Sequence, residues 1–338
     1  MSTDPAAAQQ MLRVALAPPL VYGVAVWMDA PLPFVSAMLA AAFTLRMPAP
    51  PSPANAIALV LLLVAVPLGF ESIVGLLRQY PYLMIGFVGL VLFHAFRLQA
   101  EPKTAPVGML LQTFAILLSI VTSQSGLAGD ALSRAFALNS VLAVGGLHLA
   151  FALFPAPPGA APAAPPVQPG EDEPADRTRP AVVATLVMLP AFTLLLAFDL
   201  GSAMRVLFTI AIVLVSLDRR EVRETGLESV LSASFAGAVA IAFAVLHAFW
   251  PQPGAALLAM AFLGLLVVPH AFSGTHEGAV VLAIPLVWIL LGTADGDILP
   301  KTLEWCLYSV VGVFYAVGMR ALILALLGWR EAAPGAGR

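Results

Sequence analysis

Followed for its hydrophobic and polar positions, the chain alternates long apolar runs with short breaks of proline, glycine and charge. The runs fall at 12–28, 33–46, 54–71, 81–97, 105–123 and 134–154, then at 181–198, 203–217, 226–248, 254–271, 277–293 and 303–328. About 20 apolar residues of helix cross a hydrocarbon core, and the breaks are rich in residues that end regular structure. The runs lack the alternating pattern of a membrane barrel, and open sheet edges are not tolerated in hydrocarbon, so each run is expected to be a helix. The pattern predicts an all-α, polytopic helical membrane protein with about twelve transmembrane helices.

Composition strengthens this reading. Hydrophobic residues make up 60% of the 338 and charged residues 10%, where soluble proteins carry about a quarter charged; the mean hydropathy is +0.95. Lipid is therefore the expected surroundings. With net charge −3 and charges gathered in short clusters, no basic face exists to follow phosphates, which argues against nucleic acid as a partner. The single cysteine, Cys306, sits in an apolar run and reads as packing. No histidine spacing resembles a ligand set, so no metal and no cofactor is expected. The chain also lacks a clustered acidic motif, a nucleophile elbow and an extramembrane domain, so no enzyme is expected. Leu12 to Trp27 has neither a basic leader nor a convincing cleavage site, and is expected to be the first membrane helix rather than a signal peptide.

Between the sixth and seventh runs lies FPAPPGAAPAAPPVQPGEDEPADRTRP, residues 154–180, too rich in proline and charge to build a core. It divides the chain into a first six-helix membrane repeat at 1–154, a Pro/Ala-rich linker at 155–180 and a second six-helix repeat at 181–338. The halves correspond at an offset of about 170 residues. Asp29 answers to Asp199, Tyr80-Pro81 to Trp250-Pro251, Gly126 to Gly296 and Gly145 to Gly312, and GLVLFHAF at 89–96 resembles GLLVVPHAF at 264–272. Six spans is an even number, so both halves enter the membrane from the same side and form parallel repeats. With the N-terminus inside, twelve of the Lys and Arg residues fall on inside segments and four, Arg78, Arg134, Arg205 and Lys301, outside. That bias places both termini and the linker in the cytoplasm. The second span of each half is short, which points either to a substrate site at the repeat interface or to a tilted or thinned contact with lipid.

Ionisable and polar residues at membrane depth supply the candidate chemistry. His148 lies near the middle of a span, and imidazoles exchange protons near neutrality; it is read as a proton-coupling group or as a neutral histidine bonded to a neighbouring helix. His94 and His270 share an HAF context near the inner ends of their spans, as paired gate residues or interfacial anchors. An anionic substrate needs positive charge: Arg320 can hold a carboxylate bidentately or snorkel to the interface, and Arg205 can guard the outer end of the eighth span or pair with Asp199. Gln112, Thr122 and Ser123, with Ser119, give the fifth span a polar stripe that lines a path or knits helices together. Asp218, Arg219, Arg220 and Arg223 are expected in a cytoplasmic charged loop that fixes topology and can line the inner entrance.

Six helices, a cytoplasmic segment and six more, with RREVRETGLESVLSASFAGAVAIAFAVL at 219–246 leading into a long ninth span and RVALAPPLVYGVAVWMDAPLPFVSAMLAAAF at 13–43, resemble the fusaric acid resistance and aromatic acid exporter superfamily. In that family a basic loop precedes a Gly-Thr-x-x-Gly-like stretch; here Ser232 to Gly237 stands in its place, so Gly237 matches and the Gly-Thr pair does not. Larger exporters of this type carry a folded domain between the halves, where this chain has only the linker. The resemblance implies proton-driven efflux of small aromatic or hydrophobic carboxylic acids or related toxic compounds across a bacterial inner membrane, with a periplasmic adaptor protein as a partner. Plant aluminium-activated malate channels resemble a distant branch, and by that analogy the alternative is an anion channel with its pore between the two halves.

Overall fold

The computed structural model describes residues 5–47, 49–101, 104–155, 178–215, 219–250, 252–270, 277–293 and 297–329. Twelve α-helices are placed in that part of the chain: α1 (Pro5–Trp27), α2 (Pro33–Arg46), α3 (Pro53–Leu77), α4 (Pro81–Gln99), α5 (Ala105–Gln124), α6 (Gly126–Leu153), α7 (Thr178–Ala197), α8 (Met204–Val215), α9 (Arg219–Phe249), α10 (Pro253–Val267), α11 (Glu277–Thr293) and α12 (Ile298–Leu326). A short 3₁₀ turn, Gly201–Ala203, leads into α8. Five helices begin on proline, whose missing N–H is one of the unbonded donors of a first turn and whose φ suits helix. Eight helices, α1, α3 to α7, α9 and α12, are long and apolar enough to cross a membrane, and α2, α8, α10 and α11 are shorter apolar helices. This all-helical, apolar architecture is that of a helical membrane protein.

Several boundaries differ from those expected of the hydropathy pattern. Helix α3 runs on through Glu71 to Leu77, α6 starts at Gly126 rather than 134, and α9 starts at Arg219 rather than 226. The opening segments of α6 and α9 carry polar and charged residues that lower hydropathy but still form helix, whereas the residues added to α3, Ser72 to Leu77, are mostly apolar. At the start of α6 the charges support each other, Arg134 bonding Asp130 one turn earlier at 2.8 Å. Arg219, Arg220 and Arg223 therefore belong to the opening turns of α9, not to a loop; Asp218 and linker residues 156–177 lie outside the described residues.

The chain forms two compact units, each drawn from both halves of the sequence. The first comprises residues 1–69, 130–169 and 228–306, the second 70–129, 170–227 and 307–338. In the first unit α1 packs on α2 and on α10, and α2 packs on α11. Its core joins Val14 and Ala15 of α1, Ala37 and Ala41 of α2, Ala236 and Ala240 of α9, and Val287 and Trp288 of α11. Alanine at these positions lets helices approach closely, which drives association where no hydrophobic effect separates helix from lipid. In the second unit α7 packs on α8 and on α4, α5 packs on α8, and α4 packs on α5. Phe114, Leu118, Met188, Phe192, Leu207 and Ile210 are fully buried there.

Two helix endings are built alike. Asp29 and Asp199 hold left-handed backbone, φ 54 and φ 53. Ala30 N–H bonds Ala25 O at 2.9 Å and Asp29 N–H bonds Val26 O at 3.1 Å; Leu200 N–H bonds Leu195 O at 2.9 Å and Asp199 N–H bonds Leu196 O at 3.4 Å. These are the paired bonds of a Schellman ending, with aspartate where glycine is usual.

Candidate functional site

A pocket of about 170 Å³ opens within the second unit, where α7 begins and α12 ends. Its walls follow helical spacing. Arg179 and Val183, Pro180 and Ala184, and Arg320 and Leu324 are each four residues apart, so each pair shares one helix face. Leu214, from the last turn of α8, lies beside them. Pro180 is tolerated because it falls in the first turn of α7.

Trp329 joins the pocket through the ending of α12. Gly328 takes φ 63, which glycine adopts without steric cost. The chain then closes a third Schellman ending, Trp329 N–H to Leu324 O at 3.0 Å and Gly328 N–H to Ala325 O at 3.2 Å. This turn brings the indole beneath Arg179, whose guanidinium carbon sits 4.9 Å from the ring centroid, a cation–π distance.

The arrangement sets two guanidinium groups against apolar and aromatic walls. Two guanidinium groups offer planar forks suited to a carboxylate. The start of α7 adds the positive end of a helix dipole. Val183, Ala184, Leu214 and Leu324 give an apolar wall, and the indole gives a flat one. An apolar cavity of about 150 Å³ takes benzene, so this pocket has room for one ring with its carboxylate at the arginines.

Of the residues singled out by sequence, Arg320 lines this pocket. Arg205 is buried on the first turn of α8, with its Nε 3.4 Å from Ser309 Oγ of α12. Asp199 accepts from Gln124 Nε2 at 2.9 Å. Gln112 is buried and accepts from Gln99 Nε2 of α4 at 2.8 Å, which fits helix knitting. Ser123 donates to Ile120 O at 2.6 Å within its own helix, and the carbonyls of Ser123 and Gln124 accept from Arg78, both at 3.3 Å. Thr122 is fully buried, and its hydroxyl has no hydrogen-bond partner among the described residues.

The three candidate histidines lie elsewhere. His148 is half-buried on α6 in the first unit, so it does not share a unit with Arg320. His94 is exposed on α4 beside the Phe93 ring, with centroids 5.3 Å apart in an edge arrangement. His270 is exposed too, and the rest of its HAF context lies outside the described residues.

Sequence reading missed Arg179 and Trp329. Arg179 entered only as one of the inside charges, because its role depends on α7 meeting α12. The one local signal for Trp329 was Gly328 just before it, a glycine at the close of an apolar run and so a candidate helix ending.

Residues 10–150 match the family described as "Protein of unknown function (DUF2955)"; this stretch covers α2 to α5 and most of α1 and α6. Comparison with curated proteins gives no match, and comparison with solved structures gives none either.

Proposed function

We propose that this chain is a membrane transporter that exports small aromatic or hydrophobic carboxylic acids, driven by the proton gradient, as a small member of the fusaric acid resistance and aromatic acid exporter superfamily. The observation that carries the reading is the pocket in which Arg179 and Arg320 stand over an apolar wall and the Trp329 ring. Such a site matches both ends of an amphipathic monocarboxylate: charge for the carboxylate, apolar surface for the ring.

The helices form two parallel six-helix repeats. Support comes from the pairing pattern: α1–α2, α1–α10 and α2–α11 in one unit correspond, at the offset of about 170 residues, to α7–α8, α7–α4 and α8–α5 in the other. The matched aspartate endings of α1 and α7 agree with it. The protein resides in a bacterial inner membrane with both termini and the linker in the cytoplasm, on the strength of the Lys and Arg bias. The pocket then faces the cytoplasm, where an exporter must collect its substrate, and a periplasmic adaptor receives it.

Proteoliposomes loaded with purified protein test this reading. Benzoate flux should follow an imposed pH gradient and collapse when a protonophore removes it. Flux that ignores the pH gradient and reverses at the benzoate equilibrium potential would identify an anion channel instead.

A further inference from the structure

A second polar site stands further along α12 in the same unit, and it is built differently from the pocket. Arg205 and Thr209, one turn apart on α8, face α12. The Arg205 Nε lies 3.4 Å from Ser309 Oγ. A Cβ placed on Gly312 would come within 2.8 Å of Thr209 Cβ and 2.9 Å of Val206 O, so only glycine lets the helices approach this closely. Arg205 is 7% exposed, and Thr209 and Ser309 are 0% exposed.

The Thr209 hydroxyl is the informative group. Threonines on helices satisfy their hydroxyls by bonding the carbonyl four residues back, and Thr44, Thr113, Thr185 and Thr193 all do so here. Thr209 does not; its Oγ1 is buried with no hydrogen-bond partner among the described residues. On α5, which packs against α8, the buried Ser119 hydroxyl is in the same condition. A buried hydroxyl that forgoes an available backbone bond loses its solvation without return. Beside it the Arg205 guanidinium is also withdrawn from water, which is expensive for a charged group.

Resting on the transport reading above, we propose that Arg205, Thr209 and Ser309 form a second carboxylate station, so that the anion's path runs inside this unit along α12. Ser309 and Arg320 are eleven residues apart, which is three helical turns plus about 20° and about 16 Å of rise. They therefore share one face of α12, with the small, buried Ala316 between them. Two stations on one face serve transport better than one tight site, because an anion must be able to leave what it binds. At the second station the guanidinium supplies charge, and the Ser309 and Thr209 hydroxyls donate to the carboxylate oxygens.

The test is equilibrium dialysis of radiolabelled benzoate against the full chain in lipid nanodiscs, without any gradient. Wild type should bind two benzoates per chain, and Arg205→Gln and Arg320→Gln one each. Thr209→Val, which keeps shape and removes the hydroxyl, should weaken the second binding event about tenfold and leave the first unchanged. The second station is overturned if Arg205→Gln still binds two, or if wild type binds one that Arg205→Gln does not alter. It is equally overturned if Thr209→Val matches wild type, which decides the matter should Arg205→Gln not fold. Failure of the transport reading looks different: wild type then binds no benzoate and proteoliposomes show no flux.

Discussion

Asp29 and Asp199 occupy the same left-handed position at the ends of α1 and α7, yet exchanging each for glycine should have different outcomes. Left-handed backbone costs an L-residue about 1–2 kcal/mol, and glycine's greater unfolded-state freedom offsets about 0.5–1 kcal/mol of that relief. Asp29→Gly is therefore expected to stabilise by about 0.5–1 kcal/mol, since its exposed side chain contributes no hydrogen bond of its own among the described contacts. Asp199→Gly loses the bond from Gln124 at 2.9 Å, worth about 1 kcal/mol net, and should come out about neutral. In a Gln124→Ala background that bond is already gone, and Asp199→Gly should then stabilise as Asp29→Gly does. Gly328→Ala runs the argument backwards: it should destabilise by about 1 kcal/mol and loosen Trp329 from Arg179. The assay is the thermal midpoint of detergent-solubilised protein, with tryptophan emission reporting on Trp329. A midpoint below wild type for Asp29→Gly, or equal gains for Asp29→Gly and Asp199→Gly with Gln124 intact, would refute the reasoning.

Substitutions at two further positions probe the first unit. A Cβ on Gly264 would stand 2.8 Å from Ala15 O, a backbone atom that cannot rotate away, so Gly264→Ala should push α10 off α1 and destabilise by about 1–3 kcal/mol, read as a lowered midpoint. Arg13, 3% exposed, lays its guanidinium 4.3 Å over the Phe151 ring and donates to Phe154 O at 3.1 Å, tying α1 to the end of α6. Arg13→Gln should cost about 1–3 kcal/mol, and Arg13→Lys should recover only part of it, because an ammonium lacks the planar stack; full recovery by lysine would argue that charge alone matters there.

The apolar pattern located the twelve helices of the described residues because lipid and helix ask for the same long runs. Its limits were sharpest where a helix extends beyond the apolar stretch. Proline boundaries helped: Pro33 opened α2 where expected, and α11 was placed at 277–293 to the residue. The Asp130–Arg134 pair and the RREVRE segment lowered hydropathy without breaking helix, so α6 and α9 began earlier than their apolar runs. What no local pattern could supply was partnership. That α1 packs on α10 and α4 on α7 depends on surfaces far apart in the chain, and Leu/Ala/Val-rich faces carry little to distinguish one partner from another. For the same reason Arg320 was legible, as a charge inside an apolar run, whereas Arg179 and Trp329 gain meaning only once α7 and α12 meet.

The measurement that bears most directly on the account is benzoate flux driven by a pH gradient in proteoliposomes carrying wild type, Arg179→Gln, Arg320→Gln and Arg320→Lys at equal, monodisperse loading. A charge-assisted hydrogen bond is worth about 1.5–3 kcal/mol, so each glutamine variant should lower apparent affinity by about tenfold to a hundredfold. Lysine at 320 should restore a part of it through charge without the bidentate fork. Wild-type flux that persists unchanged in both glutamine variants would contradict the assignment of the Arg179–Arg320 pocket as the place where the substrate is held.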